Sequence, residues 1–492
     1  MKLSELLKDV EVLELRGDAC TEVDAVVYDS RKATPGCLFA ALKGLKAAGA
    51  DFIGMAVEKG ACAVVTEEYK GAAPPGAALL LVADARTAAA VIASNFYGRP
   101  SSKLKLAGVT GTNGKTTTSY LIKSVLEAWD GEVGLLGTIS YQVGGRTLPA
   151  PNTTPESVDL QHLLSEMVSA GSKYAVIEVS SHSISLRRVA GCEFAVKVFT
   201  NLTQDHLDFH GGMDEYYAAK RSFFTDYGGT SVVNLDDPKG SDLAASATGG
   251  VITYAVEKGA DLTARDIKLT HSGLTFRLVT PKGEARVESG LVGRYNVYNI
   301  LAAAGACLAL DVSLPAVAGG VAAMRGVPGR FEKVEAGQDF GVLVDYAHTE
   351  DALASAMTAA REFTKGRLIT LFGCGGDRDR GKRPKMGRAA SRLSDIVVLT
   401  SDNPRTEDPG MIISQTEAGI IEEGSRKKGE GYFVVPDRDE AISLAVGLAR
   451  TGDVVLLAGK GHEDYQIIGD TKHHFDDREV ARKAIAAKLA EA

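Results

Sequence analysis

Apolar residues in this chain fall into short, nearly unbroken runs separated by polar, glycine-rich stretches. Such runs, bounded by turn formers, are the pattern of strands buried on both faces of a parallel sheet. They lie at 106–110, 174–179, 194–199, 231–234, 340–344, 367–372, 395–400 and 453–458, with three more at 23–28, 37–44 and 61–65. Between them, 119–126 and the alanine-rich stretch up to 310 read as helix. The alternation predicts an α/β fold. Glycine and proline punctuate the chain at 97–102 and 326–330, which suggests a small α/β region over 1–103, a longer one over 104–330 and a third over 331–492. At 492 residues the chain is too long for a single core, so division into domains is expected.

Polar residues collect where the strands stop: 178–182, 200–206 and 234–237 in the middle region, and 345–348, 373–379, 401–405 and 459–463 in the third. In open parallel sheets the carboxyl ends of the strands form the ligand crevice. The sequence therefore predicts two crevices, the second in a doubly wound, Rossmann-like sheet. The first contains Gly-x-x-Gly-x-x-Gly-Lys-Thr, from Gly108 to Thr116, between a strand and a helix. Glycines let successive N–H groups turn toward one anion, and the helix N-terminus adds its positive end. Lys115 is placed to reach β- and γ-phosphates and Thr116 to ligate magnesium. The general phosphate-loop pattern has glycine where this chain has Val109. The middle region thus reads as a P-loop, parallel-sheet ATPase domain.

The formal net charge of −8 implies no domain-wide basic surface and argues against a nucleic-acid partner. Nucleotide phosphates must then be held by local loops and a metal. Six cysteines without Cys-x-x-Cys pairing suit thiols in a reducing cytosol better than disulfides or a zinc site. Residues 1–8 lack the uninterrupted apolar core of a signal peptide, and no segment is long enough to insert in a membrane. A cytoplasmic, monomeric protein is expected.

Single residues are more ambiguous. Glu178, at a strand end, is a hard oxygen donor suited to magnesium. His206, taken alone, reads more readily as a hydrogen-bonded structural residue than as a ligand, since imidazole is not magnesium's preferred partner. Lys220 has the look of an ordinary solvated helical lysine. Asp29-Ser30-Arg31 suits a turn with a local side-chain bond. Arg188 is a suitable partner for a carboxylate or diphosphate.

Gly111-Thr112-Asn113-Gly114-Lys115-Thr116-Thr117 resembles the ATP loop of the Mur ligase and folylpolyglutamate synthetase superfamily, enzymes that join a carboxylate to an amine. The likeness spans the chain through Asn152-Thr153-Thr154-Pro155-Glu156, Glu178-Val179-Ser180-Ser181-His182, Thr200-Asn201-Leu202, Asp205-His206-Leu207-Asp208, Gly375-Gly376-Asp377-Arg378-Asp379 and Gly459-Lys460-Gly461-His462-Glu463. It implies that residues 111–117 and Asn296 hold ATP, and that Thr116, Glu178 and His206 hold magnesium. It further implies that Lys220 is carbamylated, and that Lys115, His206 and Lys220 act in catalysis. Ser30, Thr153, Thr154, Ser180 and Arg188 would contact a UDP-muramoyl dipeptide ending in D-glutamate (UDP-MurNAc-L-Ala-D-Glu). The amino acid implied is meso-2,6-diaminopimelate, held by Arg378, Asp402, Asn403, Pro404, Arg405, Gly459 and Glu463.

Diaminopimelate carries a second carboxylate that lysine lacks, and the planar fork of Arg405 suits it. Lysine would leave Arg405 unpaired, at a cost of about 3–5 kcal/mol if that side chain is buried. The expected reaction is ATP-dependent activation of the D-glutamate carboxylate as an acyl phosphate, followed by amine attack, with the third region closing on the second. Two departures stand out. Leu186 replaces a glutamine of some relatives, and Glu350 replaces a helix-starting proline. A lysine-adding ligase and a non-ligating nucleotide switch remain the alternatives.

Overall fold

Every apolar run named above contains a strand in the computed structural model, which describes residues 1–44, 48–70, 72–205, 207–270 and 273–491. The strands make three main sheets. The first has five strands in the order Val12–Arg16, Ala78–Val82, Ala63–Thr66, Cys37–Ala40 and Ala25–Val27, parallel except for its first member. Helix Ala85–Phe96 lies against it, started by Asp84, whose carboxylate accepts from the N–H groups of Arg86 and Thr87.

The second sheet has eleven strands. Its parallel centre runs Val133–Leu136, Tyr174–Glu178, Lys105–Thr110, Val196–Phe199, Thr230–Asn234 and Val251–Ala255. Lys105–Thr110 therefore sits between two strands that end in candidate site residues, with Glu178 in register with Val109 and Phe199 with Thr110. Val109 is inside the strand and fully buried, which is why this loop starts without glycine there. Ser140–Val143 and Arg146–Pro149, antiparallel at one margin of the sheet, and Leu262–Thr270, which continues the parallel order at the other with Gly273–Thr280 and Gly283–Ser289 beyond it, had no counterpart in the sequence reading. Their mixed exposure leaves polar residues in the runs and hides them from a search for continuous apolarity.

The third sheet orders its strands Glu332–Lys333, Gly341–Asp345, Val454–Ala458, Leu368–Phe372, Ile396–Leu399 and Tyr432–Val434, parallel after the first. Successive residues serve opposite cores: Leu456 and Ala458 pack with Met357 and Met386, whereas Val455 and Leu457 pack with Ile442 and Ile485. Burial on both faces is the reason these strands read as unbroken apolar runs. The strand before Gly459 lies between those that end at Asp345 and Phe372, so loops from both halves of the winding meet at its end.

The chain forms two compact units, one of residues 1–265, 278–285 and 298–321 and the other of 266–277, 286–297 and 322–492. The expected linker at 97–102 is a packed turn rather than a loose tether. Pro100 and Ser101 are buried, and the Ser101 hydroxyl accepts from the Glu193 N–H. Glu350 opens helix Glu350–Arg361, where its charge complements the helix N-terminus and Thr349 supplies the cap. Among the described residues, no helix is long and apolar enough to cross a membrane.

Candidate active site: two crevices at strand ends

Residues 111–114 connect strand Lys105–Thr110 to helix Lys115–Asp130. Gly114 has φ +84°, and a Cβ on Gly111 would lie 1.8 Å from the Thr200 hydroxyl, so both positions require glycine. The loop is braced from the neighbouring strand end. Thr112 N–H donates to the Asn201 carbonyl (2.8 Å), Asn113 N–H to the Asn201 side chain (2.9 Å), and the Thr200 hydroxyl to the Asn113 carbonyl (2.6 Å). Lys115 Nζ folds back onto the carbonyls of Gly111 (2.7 Å) and Thr112 (2.8 Å). The ammonium thus rests over the loop that a phosphate would occupy.

Glu178 is fully buried, and its carboxylate accepts from the Thr116 hydroxyl at 3.1 Å. Thr138 adds a hydroxyl bond (2.9 Å) and an N–H bond (3.0 Å). One buried carboxylate and one hydroxyl at a phosphate loop are hard oxygen donors, and magnesium characteristically takes one or two protein carboxylates with phosphates and water completing its shell. The donor set fits that ion. His206, expected as a further metal ligand, lies outside the described residues.

Lys220 corrects the reading of a solvated lysine. It is only 1% exposed on helix Met213–Thr225, with Nζ 4.6 Å from the centre of the Tyr216 ring. Burial, with the charge of Lys115 adding to it, holds its pKa well below the ordinary lysine value. Tyr216 also shares a 3.0 Å hydrogen bond with Thr112, so this helix abuts the phosphate loop.

The residues expected at the dipeptide form a neighbouring cluster. The Thr154 hydroxyl donates to the Glu178 carbonyl (2.7 Å) and accepts from Ser180 N–H (3.2 Å). Thr153 meets Thr138 at 3.1 Å. Arg188 donates to the Thr154 carbonyl (2.9 Å) and pairs with Glu156 (2.7 Å), while its buried Nε has no hydrogen-bond partner among the described residues. Ser180 caps helix Ser181–Ser185, and Leu186 ends that helix. Ser30 is farther along the chain's first region, on a short turn capped by Asp29, and its hydroxyl is 3.5 Å from Met55 Sδ.

The other unit holds the second crevice. Asp402 and Asn403 follow strand Ile396–Leu399, and Gly459 to Glu463 follow strand Val454–Ala458. Lys460, fully buried, joins them, with Nζ 3.2 Å from Asp402, 3.1 Å from Asn403 Oδ1 and 2.8 Å from the Tyr465 carbonyl. Asn403 Nδ2 donates to Glu463 at 2.9 Å. Burial pushes both carboxyls up; the Lys460 and Arg438 charges bring Asp402 below its ordinary value, whereas Glu463, also facing Asp402, stays raised. Arg405 has φ +52° and donates to the Gly376 carbonyl at 2.9 Å. Pro404 is buried beside Gly376, and exposed Arg378 donates to the Asp377 carbonyl. Asn296 is buried in the first turn of helix Tyr295–Ala309, where Nδ2 donates to Val292.

The structure sets Thr116 against Glu178, and Asp402 and Glu463 around Lys460, whereas neither Thr138 nor the linking role of Lys460 was singled out from the sequence. Each directly follows a glycine at a strand end, a weak signal shared by both.

Comparison with known proteins reaches the whole chain. Profiles described as the Mur ligase family catalytic domain, the Mur ligase middle domain and the Mur ligase glutamate ligase domain match residues 22–97, 109–307 and 329–461. The UDP-N-acetylmuramoyl-L-alanyl-D-glutamate–2,6-diaminopimelate ligase of Geobacillus thermodenitrificans is 46% identical over 99% of each chain. The Solibacter usitatus protein of the same name is 48% identical over 99% of this chain and 98% of its own. A solved structure bearing that name superposes with TM-score 0.73 at 34% identity, covering 99% of both chains.

Proposed function

This chain belongs to the Mur ligase family, and from that membership we infer the work of each crevice. It is an ATP-dependent, ADP-forming ligase that adds 2,6-diaminopimelate to UDP-N-acetylmuramoyl-L-alanyl-D-glutamate in peptidoglycan precursor synthesis. The observation that carries the residue assignments is the buried Glu178 carboxylate against Thr116 at the start of the phosphate-loop helix.

In our reading, the N–H groups of 111–117 cradle the ATP phosphates, and Lys115 exchanges its loop carbonyls for phosphate oxygens. Thr116 and Glu178 would hold magnesium, which when bound offsets phosphate charge as the substrate anion approaches. Asn296 is assigned to ATP as well. Thr153, Thr154, Ser180 and Arg188 orient the dipeptide, with Ser30 on its UDP end. The D-glutamate carboxylate oxygen attacks the γ-phosphorus, the bond to the β-phosphate oxygen breaks, and ADP leaves. The diaminopimelate amine then attacks the acyl carbon, losing a proton as phosphate departs. Buried Lys220, whose burial disfavours the ammonium form, is assigned to carbamate formation: its amine takes up carbon dioxide and releases a proton, which puts an anionic oxygen donor in place of a basic nitrogen. In the other crevice Asp402 and Glu463 receive ammonium groups, Asn403, Pro404 and Gly459 shape the floor, and Arg405 with Arg378 receives carboxylates. We divide these roles among regions 1–103, 104–330 and 331–492.

Incubation with the UDP-dipeptide, ATP and an equimolar mixture of diaminopimelate and lysine, read by product mass, tests the reading. Diaminopimelate tripeptide with stoichiometric ADP is expected. Lysine tripeptide as the main product would overturn the assignment of Arg405, and ADP without tripeptide would overturn the ligase mechanism.

A further inference from the structure

The Glu178 carboxylate has one close neighbour that neither the phosphate-loop pattern nor the expected substrate contacts include. Strand Val133–Leu136 ends, Gly137 turns the chain, and Thr138 presents two donors to Glu178: N–H to Oε1 at 3.0 Å and hydroxyl to Oε2 at 2.9 Å. Oε2 also accepts from Thr116, so three donors address one side chain. The approach is tight enough that a Cβ on Gly137 would lie 2.3 Å from Glu178 Oε1. Thr138 has a single hydroxyl proton, and it is committed to Glu178. The 3.1 Å contact with Thr153 therefore has Thr153 donating to Thr138. The result is a directional chain, Thr153 to Thr138 to Glu178, from a residue assigned to the dipeptide to one assigned to the cation.

We propose that Thr138 is a positioning residue that fixes the Glu178 carboxylate for a divalent cation and links it to Thr153. The proposal rests on the reading of Thr116 and Glu178 as the cation's protein ligands. When Thr116 turns its oxygen to a cation, the two bonds from Thr138 are what continue to hold the carboxylate. Removing such an outer partner of a metal ligand typically weakens the metal about 10- to 100-fold.

The test is calorimetric titration of the full chain with the non-hydrolysable analogue AMP-PCP, with and without magnesium. The ratio of the two affinities isolates the cation's contribution, and a merely structural defect would move both equally. Thr138→Val is expected to cut the ratio about tenfold while leaving the metal-free affinity unchanged. Thr138→Ser restores it, and Thr153→Val, which removes only the bond orienting Thr138, falls between wild type and Thr138→Val. Should the valine variant not fold, Thr138→Ala is read in the same way. A wild-type ratio in the hydroxyl-deleted variant, or an equal loss with and without magnesium, overturns the proposal. A wild-type ratio for Thr153→Val removes Thr153 from the chain. Glu178→Gln separates the premise: it should abolish the magnesium effect, and if it does not, the assignment of Glu178 itself is wrong whatever Thr138 does.

Discussion

The two crevices handle buried charge in opposite ways. Around Glu178 the described partners are all neutral donors, the hydroxyls of Thr116 and Thr138 and the Thr138 N–H. Around Asp402 and Glu463 a cation is already built in, Lys460, at 3.2 and 3.9 Å. Hydrogen bonds from neutral groups stabilise a carboxylate but leave its charge uncompensated, so the first crevice is prepared to take up a cation. The second already sets one cation against its two carboxylates. On the reading proposed above, an amino acid would enter a site whose charges are partly paired, which favours selection by shape and by Arg405 over simple attraction.

The largest effect should come from breaking the first arrangement. Lys115→Ala removes the cation stationed over the loop, and ligation should fall by more than about 10³-fold, measured as ADP release. Near-normal turnover would dissociate the phosphate loop from the chemistry. The counterpart in the second crevice is Lys460→Met, which leaves two buried carboxylates facing each other. Breaking a buried pair in this way costs about 3–5 kcal/mol, so here the expected loss is in stability, read from denaturant unfolding at pH 7. The deficit should shrink as pH falls toward 5, because Glu463 already has a raised pKa and a single proton on it relieves the repulsion and restores the net charge that the lysine supplied. An equal deficit at both pH values would show that Lys460 supports the fold by packing alone.

The two sites were not equally legible in sequence. The phosphate loop could be read because its glycines are demanded by backbone geometry and its flanking strand is buried on both faces. The strand ends of the third sheet were legible for the same reason. What escaped was the state of individual polar side chains. Nothing in Tyr216-Tyr217-Ala218-Ala219-Lys220 distinguishes a buried lysine from a solvated one, since burial of Lys220 is decided by packing around its helix. Lys460 was visible within its motif, but its partners Asp402 and Asn403 are nearly sixty residues away and meet it only through strand order. Thr138 follows a four-residue strand too short to stand out as a run.

Arg405→Ala sharpens the claim that the second crevice selects by its arginine. KM for diaminopimelate should rise about 100-fold, equivalent to about 3 kcal/mol, with KM for ATP changed less than about twofold. Because the guanidinium also donates to the Gly376 carbonyl, Arg405→Lys is the useful companion. It retains charge without the planar fork, and should recover only part of the loss. Equal changes in both KM values would remove Arg405 as the selector.

The smallest predicted effect takes the comparison to a pair of buried lysines. Lys460 meets a carboxylate; Lys197, fully buried on strand Val196–Phe199, donates to the carbonyls of Phe224 and Tyr227 and stands over the Phe224 ring. Carbonyls accept its protons without balancing its charge, and burial lowers its pKa to about 8. Below that pH the folded and unfolded chains both carry the proton, and the folded chain bears the full desolvation penalty. As pH rises from about 8 toward the ordinary lysine value, the native state gives up its proton while the unfolded state keeps it. The unfolded state then binds more protons, so stability contributed by this site must increase with pH. Other groups titrate over the same range, so the quantity to measure is the difference between wild type and Lys197→Met. Losing two donors to carbonyls gives the variant a constant offset, but only wild type has the slope. Its advantage should grow by on the order of 1–2 kcal/mol between pH 7.5 and 9.5. Parallel curves would mean that Lys197 stays charged in the fold, and that neutral carbonyls suffice to hold a buried cation where this comparison requires a carboxylate.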